Sequence, residues 1–215
     1  MNQEGVSSFD RKAVLDGVLE MIYLAGNPAL KTMDFGCWRT RDHINSGILK
    51  EYQSVDWYLQ RAKLKGKLNQ LDASQILSDL SNEPWRKENQ GGKDHYDLFV
   101  VREDLGYEEN NFVIGLAIRT IGTVFSTYRF NSLNERTRFE CIKTETMHEL
   151  GHVFGLIPFN RRENVEESIG LHCTNRCIMR QGLSVPNDWE KLSVDRLNYG
   201  ALCKDCTSDL RKFFS

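Results

Sequence analysis

Thr144-Glu-Thr-Met-His-Glu-Leu-Gly-His-Val-Phe-Gly155 carries the spacing H-E-x-x-H, and the residues before it place that spacing on a helix. Ser132-Leu-Asn-Glu135 has the form of a capping box, which predicts a long helix opening there and running through Phe154. His148 and His152 are four residues apart, so on a helix both imidazoles leave the same face and reach one ion. Glu149 stands one position on, outside the first coordination shell but near enough to take a proton from a metal-activated water. A zinc ion would lower the pKa of that water to about 7 and polarise a substrate carbonyl. This points to hydrolysis of a peptide bond with Glu149 as general base and needs no serine or cysteine nucleophile. Amide bonds outside peptides would yield to the same chemistry.

Working outward, Asp10 to Leu24 spaces Val14, Leu15, Val18, Leu19 and Ile22 as the apolar face of a first helix. Lys31 to Arg41 is ambiguous, with room for a strand. Arg61 to Lys67 reads as a solvated helix face. Asp72-x-x-Gln75 opens a second helix through Leu80, expected to lie on a sheet. Trp85 to His95 reads as a polar loop. Three strands are expected over Tyr96–Val101, Phe112–Ala117 and Thr123–Phe130, with an acidic loop from Glu103 to Asn111. Another helix, Asp188 to Asn198, separates two pairs of cysteines. The order predicts an α/β fold with a mixed sheet. His43 and His95 lack partners nearby in sequence and are assigned to the surface.

Zinc peptidases need a third protein ligand and an open fourth position. In the metzincin pattern H-E-x-x-H-x-x-G-x-x-H that ligand follows three residues after a glycine. Gly155 is in place and suits a left-handed helix end, but the ligand position holds Pro158. The next histidine is His172, in Leu171-His-Cys-Thr-Asn-Arg-Cys-Ile-Met179. Here the chain resembles the archaemetzincins, whose third histidine is followed at once by a cysteine, then a second cysteine, a methionine and a downstream C-x-x-C. Cys203-Lys-Asp-Cys206 closes that set, and Asp97-Leu-Phe, Asn111-Phe-Val-Ile-Gly and Ser126-Thr-Tyr-Arg resemble the family's strands. The first cysteine pair is spaced slightly closer than is usual in the family.

The resemblance implies a single compact metzincin-like domain over 1–215. Its α/β part (1–155) would end in the active-site helix, and an irregular zinc-bound subdomain (156–215) would carry the third ligand. Pro158 to Leu171 becomes an insertion, tolerable because loop closure entropy grows only logarithmically with length. His172 is the expected third ligand, and Glu163, Glu166 and Glu167 in the insertion are the competing carboxylates. Met179 corresponds to the Met-turn, an apolar floor beneath the metal. The strand Phe112, Val113, Ile114, Gly115, Leu116, Ala117 would be the edge offered to an extended peptide substrate. Two zinc ions are implied, one catalytic and one held by Cys173, Cys177, Cys203 and Cys206. The rival reading is a non-catalytic, zinc-stabilised binding protein whose cleft the 158–171 insertion blocks.

Composition agrees with this class. The 215 residues are 40% hydrophobic and 27% charged, and the net charge of −2 argues against nucleic acid or an anionic membrane as partner. No run approaches the roughly 18 apolar residues of a membrane span, and Met1 to Asp10 lacks the pattern of a signal peptide. A cytoplasmic monomer is expected, with a peptide or protein as substrate. In a reducing compartment the two close cysteine pairs read as metal ligands, with free thiols or a redox pair as the alternatives. Cys37 and Cys141 read as small buried hydrophobes.

Overall fold

A computed structural model describes residues 1–38, 51–63, 70–83, 86, 95–107 and 110–215. The chain divides into two compact units, Met1–Ser7 with Met33–Arg129, and Ser8–Thr32 with Phe130–Ser215.

The first unit holds helices α2 (Val55–Lys63) and α3 (Ala73–Ser81) and strands β1 (Gln70–Asp72), β2 (Asp97–Val101), β3 (Asp104–Tyr107), β4 (Asn110–Val113), β5 (Gly115–Ile118) and β6 (Gly122–Ser126). Pairing is mixed, as expected, but divided between two three-stranded sheets, β1-β3-β4 and β2-β6-β5. β1 is parallel to β3 and β2 to β6, whereas β4 and β5 run antiparallel to their partners. Asp72 caps α3 by accepting from the Gln75 N–H at 3.1 Å, but the Gln75 side chain turns to Asp79 instead of completing a capping box. Helices and strands enclose one apolar cluster that includes Tyr58, Leu71, Ile76, Leu80, Phe99 and Val124.

Several expectations are corrected here. Asp104–Tyr107, assigned to an acidic loop, pairs as β3, because alternate groups of this stretch find partners on both β1 and β4. Phe112–Ala117 is not one strand: it breaks at Ile114, leaving Phe112 and Val113 in one sheet and Gly115–Ala117 in the other. β6 ends at Ser126, and Tyr128–Ser132 coils into a 3-10 turn. From Lys31 to Trp38 no strand forms beyond an isolated bridge between Trp38 and Ser54. His95 is no free surface residue, since its Nε2 lies 3.6 Å from Glu83 and 3.4 Å from Asp97. Cys37 is half-buried, whereas Cys141 is fully buried and its thiol is pushed up to about 11 by that burial. His43, residues 39–41 and 64–67, and all of the 85–95 loop except Arg86 and His95 lie outside the described residues.

The second unit holds α1 (Ser8–Ala25), α4 (Glu135–Val153), the hairpin β7 (Val165–Glu167) and β8 (Leu171–Cys173), α5 (Asn187–Tyr199) and α6 (Lys204–Phe213). The N-cap of α4 is Asn134, whose side chain accepts from Thr137 N–H at 3.0 Å, in place of Ser132. α1 forms as predicted, but it buries Ala13, Val14, Gly17 and Met21 while Leu15 and Leu19 stay 43% and 48% exposed. Size explains the rotation: a Cβ at Gly17 would sit 2.8 Å from the carbonyl oxygen of Lys143, so the smallest residues face α4. The buried Asp10 is met there by a two-pronged hydrogen bond from Arg138 at 2.9 and 2.6 Å.

Candidate active site

α4 delivers His148, Glu149 and His152 within one turn, all in the second unit. Its C-terminus is closed as Gly155 adopts φ 68°, with Gly155 N–H bonding to His152 O and Leu156 N–H to Gly151 O, both at 3.0 Å. That is a Schellman ending, open to glycine without Cβ strain. The segment after it returns as the β7–β8 hairpin instead of an irregular loop, with Glu166 opposite His172. The hairpin brings His172 to the other two histidines. The three nitrogen donors lie within 4.8 Å of one another, and His148 Nε2 is 3.1 Å from His152 Nε2. Two ligands at about 2.05 Å around a tetrahedral ion would stand about 3.3 Å apart, so this donor set fits zinc.

The tautomers suit that use. His148 Nδ1 is 2.7 Å from Ile178 O and His172 Nδ1 3.2 Å from Gly170 O, so each Nδ1–H donates to a carbonyl and leaves Nε2 as the lone-pair donor. Burial lowers all three histidines: His148 falls to about 3, His152 well below its ordinary value, and His172 in the same direction. Neutral imidazole, the form that binds a metal, therefore prevails at neutral pH. Glu149 is 5% exposed. Of the carboxylates weighed as third ligands, Glu163, Glu166 and Glu167, none joins the histidine cluster among the described residues.

Met179 is fully buried, and its sulfur lies so close to Gly151 that a Cβ there would collide with it. The methionine thus packs against the helix turn between the two histidines. Trp189 of α5 presents its ring edgewise to His148, centroids 5.4 Å apart. Sequence reasoning did not find this buttress, since one tryptophan on an amphipathic helix carries no signal of its neighbour.

Cys173, Cys177, Cys203 and Cys206 form a second cluster in the same unit. The Sγ–Sγ distances Cys173–Cys203 and Cys177–Cys206 are both 3.8 Å. A tetrahedron of sulfurs around zinc at about 2.3 Å has edges of about 3.8 Å, whereas a disulfide needs about 2.05 Å. Hydrogen bonds from Cys177 and Cys206 draw the Cys173 thiol down, and the same contact drives Cys206 up, because the Cys206 S–H is held as the donor to Cys173, with burial adding to the effect. Arg161 and Asn175 also donate to these sulfurs. Neither was visible in the sequence, where Arg161 is one of many surface-type charges in an insertion.

A third group, Glu83, His95 and Asp97, gathers in the first unit. Arg86 pairs with Asp97 there and lies 3.8 Å from Glu83, while Tyr58 donates to Glu83, so the acids are already neutralised by protein groups. It reads as a structural network.

No protein-family model matches the chain. The chain is 39% identical over 93 residues to an archaemetzincin of Nanoarchaeum equitans, covering 43% of each chain. With an archaemetzincin of Archaeoglobus fulgidus it shares 30% over 115 residues, 53% of this chain and 59% of that one. The chain is archaemetzincin-like. Its matches span about half the length of these curated relatives. A crystal structure of a zinc-dependent peptidase from Methanocorpusculum labreanum has the same fold, with a TM-score of 0.57 over 97% of this chain and 96% of that one at 20% identity. The archaemetzincin likeness and the mixed α/β class thus stand as the motifs implied.

Proposed function

We propose that the chain is a zinc-dependent peptidase that binds its catalytic ion through His148, His152 and His172 and uses Glu149 as general base. The observation that carries this is the convergence of three neutral imidazoles on one point, those of His148 and His172 buried and that of His152 half-buried, with His148 and His152 in the same helical turn as the Glu149 carboxylate. When bound, zinc supplies a water of pKa about 7 and polarisation of the scissile carbonyl. Glu149 takes the proton of that water and passes it to the departing amine nitrogen. Ile178 and Gly170 carbonyls hold His148 and His172 in the donor tautomer, and Met179 and Trp189 pack the helix turn and the His148 ring in place.

Cys173, Cys177, Cys203 and Cys206 would hold a second, structural zinc with no open position; their sulfur spacing supports it. Four closely placed free thiols also favour a reducing, cytoplasmic setting. Among the described residues no helix is long and apolar enough to cross a membrane. The outer position of β5, paired among the described residues to β6 alone, supports Gly115–Ala117 as backbone offered to an extended peptide.

The test is digestion of a mixed peptide library by the zinc-loaded protein, read by mass spectrometry. Cleavage is expected to fall by about 10²–10⁴-fold in Glu149→Ala while metal content stays at two ions per chain; activity kept at the wild-type level in that variant would refute the mechanism. Terminal or internal cuts distinguish an aminopeptidase from an endopeptidase. A zinc-loaded wild type that cuts nothing would favour the non-catalytic binding protein.

A further inference from the structure

The insertion after the active-site helix ends in the strand that bears His172, and it begins in a set of bonds to the cysteine cluster. Ile157 N–H donates to Asp209 at 3.2 Å. Four residues on, the Arg161 side chain is only 8% exposed and its guanidinium is fully engaged. Nη1 lies 3.3 Å from Cys206 Sγ and 3.0 Å from Asp209, and Nη2 lies 3.3 Å from Cys173 Sγ and 3.5 Å from Asp205. Nε and Nη2 also donate to the carbonyls of Glu163 and Asn164, at 3.0 and 3.4 Å. Asn164 in turn donates its side-chain N–H to Asp205 at 2.9 Å, and its carbonyl accepts from Thr174 N–H at 3.0 Å. From there Val165 pairs with Cys173, Glu166 with His172 and Glu167 with Leu171.

Four thiolates around one dication carry a net charge of −2, and such a buried anion requires donors around it. A planar guanidinium presents a fixed fork of donors on separate nitrogens, whereas an ammonium offers three donors from a single point charge. We propose that Arg161 is an outer-sphere ligand of the cysteine-bound zinc and the positioning residue through which that centre orders the strand bearing His172. The insertion is then a strap clamped to the structural metal, and its first half and its hairpin are held by the same charge. This rests on the reading that the four cysteines hold zinc.

The test uses the full chain loaded with cobalt(II), whose sulfur-to-metal charge-transfer band reports the thiolate centre alone, in wild type, Arg161→Ala and Arg161→Lys. In R161A the band should move to longer wavelength, and its loss to excess EDTA should quicken by about 10–100-fold, the usual effect of removing an outer-shell partner. Amide hydrogen exchange over 164–174 should rise in the same variant, with R161K between it and wild type in both readouts. If R161A does not fold, R161K decides alone, since it keeps the charge and loses the fork. An unmoved band with an unchanged loss rate would overturn the proposal. Faster metal loss with unaltered exchange at 164–174 would overturn the ordering role. A wild type lacking the band altogether would refute the cysteine-zinc reading, a result distinct from both.

Discussion

Glu145 stands one helical turn before Glu149, is fully buried, and neither of its carboxyl oxygens has a hydrogen-bond partner among the described residues. Burial, with the charge of Glu149 second, raises its pKa well above the ordinary carboxyl value. A carboxyl whose folded pKa is raised contributes stability that is complete below the unfolded value of about 4.3 and is lost as pH climbs towards the folded value. Across that window the folded state weakens by about 1.4 kcal/mol per pH unit relative to a chain without the group. Glu145→Gln keeps the shape and removes the titration. Its melting temperature should therefore match wild type near pH 4 and exceed it increasingly from pH 5 to 8. Parallel curves for the two proteins would contradict a protonated Glu145. At the same scale, Glu149→Ala should lower hydrolysis by about 10²–10⁴-fold, the usual contribution of a positioned general base. Zinc titration checks that its metal affinity is kept.

At the scale of the element, α4 depends on two glycines for different reasons. Gly155 is needed for its backbone, at φ 68°, and Gly155→Ala should cost about 1 kcal/mol in denaturant unfolding. Gly151 is needed for its lack of volume, because Met179 fills the space a methyl would take and is itself fully buried. Gly151→Ala should cost about 1–3 kcal/mol by overpacking. Because the displaced methionine lies against the turn joining His148 and His152, this variant should also bind zinc more weakly, which competition with a chromogenic chelator would read. Wild-type zinc affinity in Gly151→Ala would mean that Met179 has no part in holding the turn.

At the scale of the molecule, the parts nearest the cysteine cluster are short: a three-residue strand, β8, and the ten-residue helix α6, which opens at Cys203. Elements so small gain order from what they bind. Stripping the metals with EDTA is expected to lower the melting temperature by roughly 10 °C or more, as a loss of several kcal/mol does in a chain of this size. Hydrogen exchange should show the loss at β8 and α6 while β2 and β6, packed around Phe99 and Val124, keep their protection. Uniform loss across both sheets would show instead that the metals support the first unit too.

The H-E-x-x-H helix, the glycine that ends it, the Asp72 cap and the helical or extended type of most segments were legible in sequence, because local spacing and capping chemistry act within a few residues. So was the gathering of the cysteines, whose ligand chemistry limits what they can do in close pairs. Only the tertiary structure decided which face of α1 is buried, since closeness to Lys143 selects Gly17 and Ala13 over the more apolar Leu15 and Leu19. It alone split Phe112–Ala117 between two sheets, chose His172, expected from the resemblance, over the carboxylates of the insertion by hairpin pairing, and brought Arg161 to the cysteines through charge contacts between residues far apart in the chain. Periodicity records which side chains prefer burial, whereas the partner that buries or binds them is set by long-range packing, and a single sequence does not encode that in its spacing.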